Sequence, residues 1–131
     1  MIFIDTSAIY ALADRADANH ARATRSFTAA LASGERLVTH NYVLVESISL
    51  IQHRLGLEPA LAFASDAEAF DVDWVTRATH ERAVEWLRTA GRRRVSLVDA
   101  VSFIVMRTKQ IEVAFAFDPH YVRAGFRLLG W

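Results

Sequence analysis

Three features of this sequence predict an α/β fold with helices layered on a mainly parallel sheet. Short apolar runs of strand type alternate with longer stretches of helical periodicity along the 131 residues. Several helical stretches begin or end at residues suited to helix termini. Two of the apolar runs stop at an aspartate, as expected for strands that deliver acids to one edge of an open sheet.

The elements follow in order. Met1 to Ile4 is an apolar strand, and Thr6 to Ala13 a short helix. Ala18 to Ala32 is a longer amphipathic helix closed by Gly34. Glu35 to Val38 reads as a short strand. Asn41 to Leu55 is helical, with Leu44, Ile48, Ile51 and Leu55 at helical spacing, Thr39 as its cap and Gly56 as its stop. Leu57 to Ala69 forms another helix, and Phe70 to Val75 a strand. Thr76 to Ala90 is a helix with Ala83, Trp86 and Leu87 inward, followed by a loop at Gly91 to Arg94. Ser96 to Lys109 is a helix with an apolar stripe through Val98, Val101 and Val105. Val113 to Phe117 is a buried strand, Pro119 to Arg123 a turn or short helix, and Phe126 to Leu129 a last strand.

Hydrophobic residues make up 53% of the chain and charged residues 23%, which suits one compact domain over residues 1–131. No apolar run approaches the roughly 18 residues that span a bilayer, and the N-terminus lacks a signal-peptide pattern. The expectation is a cytoplasmic protein with no membrane partner. Without cysteine there is no disulfide or thiolate site, so a bound metal would be held by oxygen or imidazole, which favours Mg²⁺ or Mn²⁺. The formal net charge of +0 announces no nucleic acid by itself. Lys109 is the only lysine; codon bias in a GC-rich genome is the plainer explanation, ahead of a preference for arginine forks on phosphate.

Four acids call for an explanation. Asp5 ends the first strand, Asp118 ends the strand at 113–117, and Asp99 lies in the first turn of the helix from Ser96, so all three are expected at one sheet edge. Glu46 has Tyr42, Val43, Ser49 and Leu50 as its helical neighbours, a setting in which a buried carboxylate needs a cation. Each acid also has an ordinary structural role. Asp5 and Asp118 suit helix caps, Ser96 to Asp99 is a capping box, and Glu46 could pair with an arginine. Caps do not explain why several acids should share one edge. A carboxylate cluster repels itself unless cations occupy it, and divalent metal there supports phosphodiester hydrolysis.

The stretches "FIDTSAIYAL", "VLVESISLI" around Glu46, "SLVDAVSFIVM" around Asp99 and "AFAFDPHY" around Asp118, in that order, resemble the PIN-domain ribonucleases, and among them the VapC-like toxins of toxin–antitoxin pairs. The resemblance covers essentially the whole chain. It implies a three-layer sandwich with a central sheet of four or five strands. It further implies an Mg²⁺- or Mn²⁺-dependent endoribonuclease with Asp5, Glu46, Asp99 and Asp118 as catalytic acids. Asp5, Asp99 and Asp118 would be metal ligands, and Glu46 a ligand or an orienter of water. An RNA substrate, a cognate antitoxin and a homodimer are implied as partners. Thr6 and Ser7 would donate hydrogen bonds behind the acids, or simply cap the helix. Where the family often has Phe after the histidine of its last motif, this chain has Tyr121.

Secondary signals point the same way without deciding it. Arg92, Arg93 and Arg94 precede the Asp99 helix and are expected near the metal edge or in a solvated loop. His120 could reach the scissile phosphate or pack inside. His40 and His53 show no metal spacing. Phe27, Leu31, Leu61, Phe63 and Phe70 exceed what one core face needs, which fits a dimer interface, a groove for a partner helix, or ordinary core. A phosphotransfer domain of the haloacid-dehalogenase type needs a second acid where Ser7 stands, and a receiver module needs an acid pair that Asp5-Thr6 does not supply. A non-toxin RNA-processing nuclease, or a silent RNA- or metal-binding module, remains as the alternative.

Overall fold

The computed structural model describes residues 1–90 and 95–129. Five short strands, β1 (Ile2–Ile4), β2 (Leu37–His40), β3 (Asp71–Asp73), β4 (Val113–Phe115) and β5 (Arg127–Leu128), form one sheet in the order β3-β2-β1-β4-β5. All neighbours run parallel, with Phe3 opposite both Val38 and Ala114. Parallel strands of this kind are covered on both faces, which is why Ile2, Phe3 and Ile4 are all buried and apolar.

The strand order has a direct consequence for the site. The chain leaves β1 for β2 and β3 on one side, then returns to add β4 and β5 on the other. Strand order therefore reverses between β1 and β4, and the crevice beyond the carboxyl ends of those strands is where open α/β sheets bind their ligands. Asp5 follows β1 directly, and Asp118 lies three residues past the end of β4.

Seven helices among the described residues pack on the sheet to make the three-layer sandwich: α1 (Thr6–Ala13), α2 (His20–Ala32), α3 (Asn41–Leu55), α4 (Leu57–Asp66), α5 (Arg77–Ala90), α6 (Leu97–Thr108) and α7 (His120–Arg123). Every residue of α6 from Asp99 to Met106 is buried, as expected of a helix apolar on most sides. None of the helices is long and apolar enough to cross a membrane.

The boundaries depart from the sequence expectation in instructive places. The strand expected at Glu35–Val38 runs instead from Leu37 to His40, because Glu35 and Arg36 are exposed and pair outward, with the N-terminal amine and Asp71 respectively. Thr39 is therefore a strand residue, donating its hydroxyl to the Ile4 carbonyl at 3.0 Å, and His40 caps α3 by accepting from the Val43 N–H. The stretch 57–69 divides into α4 and a 3-10 turn at Ala67–Ala69. The strand at 70–75 narrows to Asp71–Asp73, and that at 113–117 to Val113–Phe115.

Gly56 closes α3 and opens α4 at φ +108° and ψ 176°, a combination available essentially only to glycine. It lets the two helices fold back against each other. A Cβ there meets nothing within 4 Å, so strain alone sets the effect of a side chain. Gly56→Ala is expected to destabilise the fold by about 1–3 kcal/mol, read as a lower midpoint in urea unfolding with an unchanged slope.

Candidate metal centre

Asp5 is the most constrained of the acids. Its backbone N–H donates to the Phe115 carbonyl at 3.1 Å, so β1 stays paired with β4 up to the residue that carries the carboxylate. The side chain caps α1: Oδ2 accepts from the Ser7 N–H at 3.3 Å and from the Ser7 hydroxyl at 2.9 Å. Oδ1 accepts from the Tyr121 hydroxyl at 2.9 Å. Ser7 Oγ in turn accepts from the Phe117 N–H at 2.9 Å, tying the end of the β4 segment to the same carboxylate. The residue is only 5% exposed. Burial pushes its pKa up to about 6, the nearby Asp99 charge adds to the rise, and the hydrogen bonds from Tyr121 and Ser7 oppose it. Capping and metal ligation are compatible roles, because a carboxylate has lone pairs for both.

Asp99 and Asp118 arrive from two other elements. Asp99 closes a capping box at the start of α6, with its N–H on Ser96 Oγ at 3.0 Å and its Oδ2 accepting from the Ser96 N–H at 3.2 Å. Asp118 Oδ1 accepts from the His120 N–H at 2.9 Å, which folds the Asp-Pro-His turn back on itself. The turn places His120 Nδ1 3.1 Å from Asp118 Oδ1 and 3.2 Å from Asp99 Oδ2. Ligand atoms of Asp99, Asp118 and His120 all lie within 4.8 Å of one another.

The structure brings some of the expected acids together and not others. Asp99 and Asp118 converge, Asp5 couples to Asp99 through charge, and His120 stands between the two aspartates. Glu46 does not join them. It is exposed on α3 and makes no ion pair among the described residues, so the argument from burial is corrected. The fully buried residues of α3 are Val43, Ser47 and Ile51, with Ile48 and Leu55 of the expected stripe packed against the core beside them, and Glu46 falls on the exposed side with Val45 and Ser49. Ser7 supplies the expected hydrogen bond to an acid. Thr6 instead accepts from the Ser47 hydroxyl at 3.2 Å, fastening α1 to α3.

The donors present suit a hard divalent cation: carboxylate oxygens with one imidazole and no sulfur. A buried Asp5 carboxyl held away from its ordinary ionisation is what a cation would correct. Beside the centre, His120 also lines a hollow of about 700 Å³ together with Trp86, Phe103 and Arg123. A second hollow, a groove of about 710 Å³, runs between α1, α2 and α4 and is walled by Ile9, Leu12, Phe27, Leu31, Phe63 and Phe70, with none of the four candidate acids in its lining. Arg92, Arg93 and Arg94 lie outside the described residues.

Comparison with known proteins places this geometry. The 23S rRNA-specific endonuclease VapC20 of Mycobacterium tuberculosis, recorded for two strains, is 40% identical over 128 residues, covering 96% of this chain and 95% of its own. A crystal structure of M. tuberculosis VapC20, described as a sarcin–ricin loop cleaving toxin, superposes with a TM-score of 0.86 at 40% identity and 96% coverage of both chains. The structure of FitAcB from Neisseria gonorrhoeae matches at a TM-score of 0.65 with 13% identity over 98% of this chain and 96% of that one, a likeness of fold alone. The family model of the PIN domain matches residues 2–127, and with it the parallel sheet and the acids at its edge find their common origin: the chain belongs to the PIN-domain family.

Proposed function

We propose that the protein is a metal-dependent endoribonuclease, the toxin of a toxin–antitoxin pair, working in the cytoplasm as one domain over residues 1–131 and cutting a structured loop of ribosomal RNA. The observation that supports it best is the convergence of Asp99, Asp118 and His120 beside the buried Asp5 at the switch edge of the sheet, in a chain 40% identical to an endonuclease named for 23S rRNA. Bound Mg²⁺ or Mn²⁺ supplies Lewis acidity toward a phosphate oxygen and a lowered pKa for the attacking water. Asp5, Asp99 and Asp118 hold the ion. His120 fixes the separation of Asp99 and Asp118 and faces the hollow through which RNA approaches. Arg123, exposed at that hollow, offers a bidentate cation to the backbone phosphates. Glu46 acts from the solvent side, orienting water once RNA is in place.

The partner surfaces lie elsewhere. The apolar groove between α1, α2 and α4 suits the apolar face of an antitoxin helix, with Leu31, Leu57 and Leu61 exposed at or near it. Trp74 and Val45 are exposed near the start of α3, where Asn41 Oδ1 accepts from the Val75 N–H, and they suit a homodimer contact.

Purified protein with Mn²⁺ is expected to make discrete cuts in ribosomal RNA, lost with EDTA and reduced on the order of 100-fold or more by Asp99→Asn or Asp5→Asn. Uniform degradation insensitive to these changes would sink the assignment. Glu46→Gln is expected to slow cleavage while leaving Mn²⁺ affinity in the absence of RNA unchanged, as calorimetric titration reads directly.

Asp5 also sets a pH dependence. Its folded pKa of about 6 stands above the ordinary 3.8, so the folded state binds the extra proton and this group's stabilisation is present at low pH and lost as pH rises from about 4 to 6. At roughly 1.4 kcal/mol per pKa unit the loss is about 3 kcal/mol. Thermal melts should therefore show Mn²⁺ stabilising the protein more at pH 7 than at pH 5; equal stabilisation at both would contradict ligation by Asp5.

A further inference from the structure

Behind Asp5 lies a buried polar chain that the chemistry described so far leaves without a role. The Tyr121 hydroxyl donates to Asp5 Oδ1 at 2.9 Å, and the whole residue is inaccessible to solvent. Its ring is fixed by Phe103, edge-on at 5.3 Å between centroids, and by Phe3 at 6.2 Å, so the hydroxyl has little freedom to swing. On the far side the Ser102 hydroxyl lies near enough to Tyr121 to oppose the rise that burial gives its pKa. Ser102 Oγ also lies 2.8 Å from His40 Nε2 and 2.9 Å from the Val98 carbonyl. His40, Ser102 and Tyr121 are all 0% exposed.

The direction of each bond follows from donor bookkeeping. His40 Nδ1 accepts from the Val43 N–H at 3.3 Å, and burial holds the imidazole neutral with its pKa lowered to about 3. Its one proton therefore sits on Nε2 and is donated to Ser102. Ser102 gives its single proton to the Val98 carbonyl. Tyr121 gives its own to Asp5. Each of the three buried donors is thus matched to an acceptor, His40 to Ser102, Ser102 to the Val98 carbonyl and Tyr121 to Asp5.

We infer that Tyr121, backed by Ser102 and His40, is a positioning residue for Asp5: it grips Oδ1 while Ser7 grips Oδ2, and so fixes the plane in which the carboxylate meets a cation. The inference rests on the metal-dependent reading of the site. A phenylalanine would fill the same space without the grip. Two hydrogen-bonded oxygens leave the Asp5 carboxylate no rotation about its Cβ–Cγ bond, so ligand geometry is set before the ion arrives, the role that outer hydrogen bonds play around metal ligands generally.

The test is calorimetric titration of the full chain with Mn²⁺, wild type beside Tyr121→Phe, with circular dichroism to establish that both are folded. Loss of the hydroxyl is expected to weaken Mn²⁺ binding by about 10-fold or more. The Mn²⁺ concentration for half-maximal RNA cleavage should rise in parallel, while KM for RNA at saturating Mn²⁺ stays unchanged. A folded Tyr121→Phe protein that binds Mn²⁺ as the wild type does overturns the inference. Ser102→Ala keeps the tyrosine and removes its support, and serves if the first variant does not fold; a smaller rise in the same direction is expected, and unchanged affinity overturns the role of the chain. A wild-type protein that takes up no Mn²⁺ overturns the metal reading and this inference with it.

Discussion

A carboxylate buried at the centre of a sheet edge is the constraint around which this molecule is arranged. Asp5 follows the middle strand, is nearly inaccessible, and carries a charge that the interior disfavours. Four donors and backbone contacts from distant parts of the chain converge to make that tolerable. Ser7 comes from α1, Tyr121 from α7, and the Phe115 carbonyl and the Phe117 N–H from the β4 segment, which meets Asp5 directly and through Ser7. The parallel pairing of β1 with β4 is what brings residues more than a hundred positions apart into this arrangement. Fold and site are therefore specified by one set of contacts, and weakening either weakens both.

The sequence carried the architecture well because its signals were of the durable kind. Alternating strand and helix runs gave the parallel sheet, and Ser96 to Asp99 announced a capping box that the structure contains atom for atom. Gly56 stopped α3 where expected. What periodicity could not resolve was where a buried face begins and ends. The stripe through Ile48, Ile51 and Leu55 does pack inward, but the fully buried edge of α3 also takes in Val43 and Ser47, which only packing against α1 reveals. The same ambiguity moved β2 by two residues, because Thr39 and His40 look like a polar cap until their partners across the core are seen.

Site residues divide along the same line. Asp5, Asp99 and Asp118 were legible because helix starts and strand ends are encoded locally, and topology then carries them to one edge. Glu46 was placed inside by its helical neighbours, but it stands on the exposed side of α3 with Val45 and Ser49. His120 and the His40–Ser102–Tyr121 chain were missed or left open for a different reason. Their partners are 21, 62 and 116 residues away, and no local pattern marks a lone histidine or a Phe-to-Tyr change as one end of a hydrogen bond. The one available signal was the departure of Tyr121 from the family's phenylalanine. A buried hydroxyl at a position where the family often has phenylalanine needs a partner, and the nearest carboxylate is the first place to look.

The distribution of burial also orders the events that the proposed function requires. Asp5 and Asp99 lie in the interior and are oriented by bonds that exist before any ligand arrives, whereas Glu46 and Arg123 stand exposed with no side-chain bond of that kind among the described residues. The interior half is anionic, and a phosphodiester approaching it alone meets like charge. A cation held there by Asp5, Asp99 and Asp118 would offset that charge and make the same crevice attractive to RNA. The exposed half can then be completed by the substrate itself, which supplies the surface that Glu46 and Arg123 lack. On the proposed reading, rigid ligands inside and adaptable groups outside would give an enzyme assembled for its metal by folding and for its RNA only by binding, and the apolar groove beside α2 and α4, whose lining includes none of the acids, would be free to answer to a different partner.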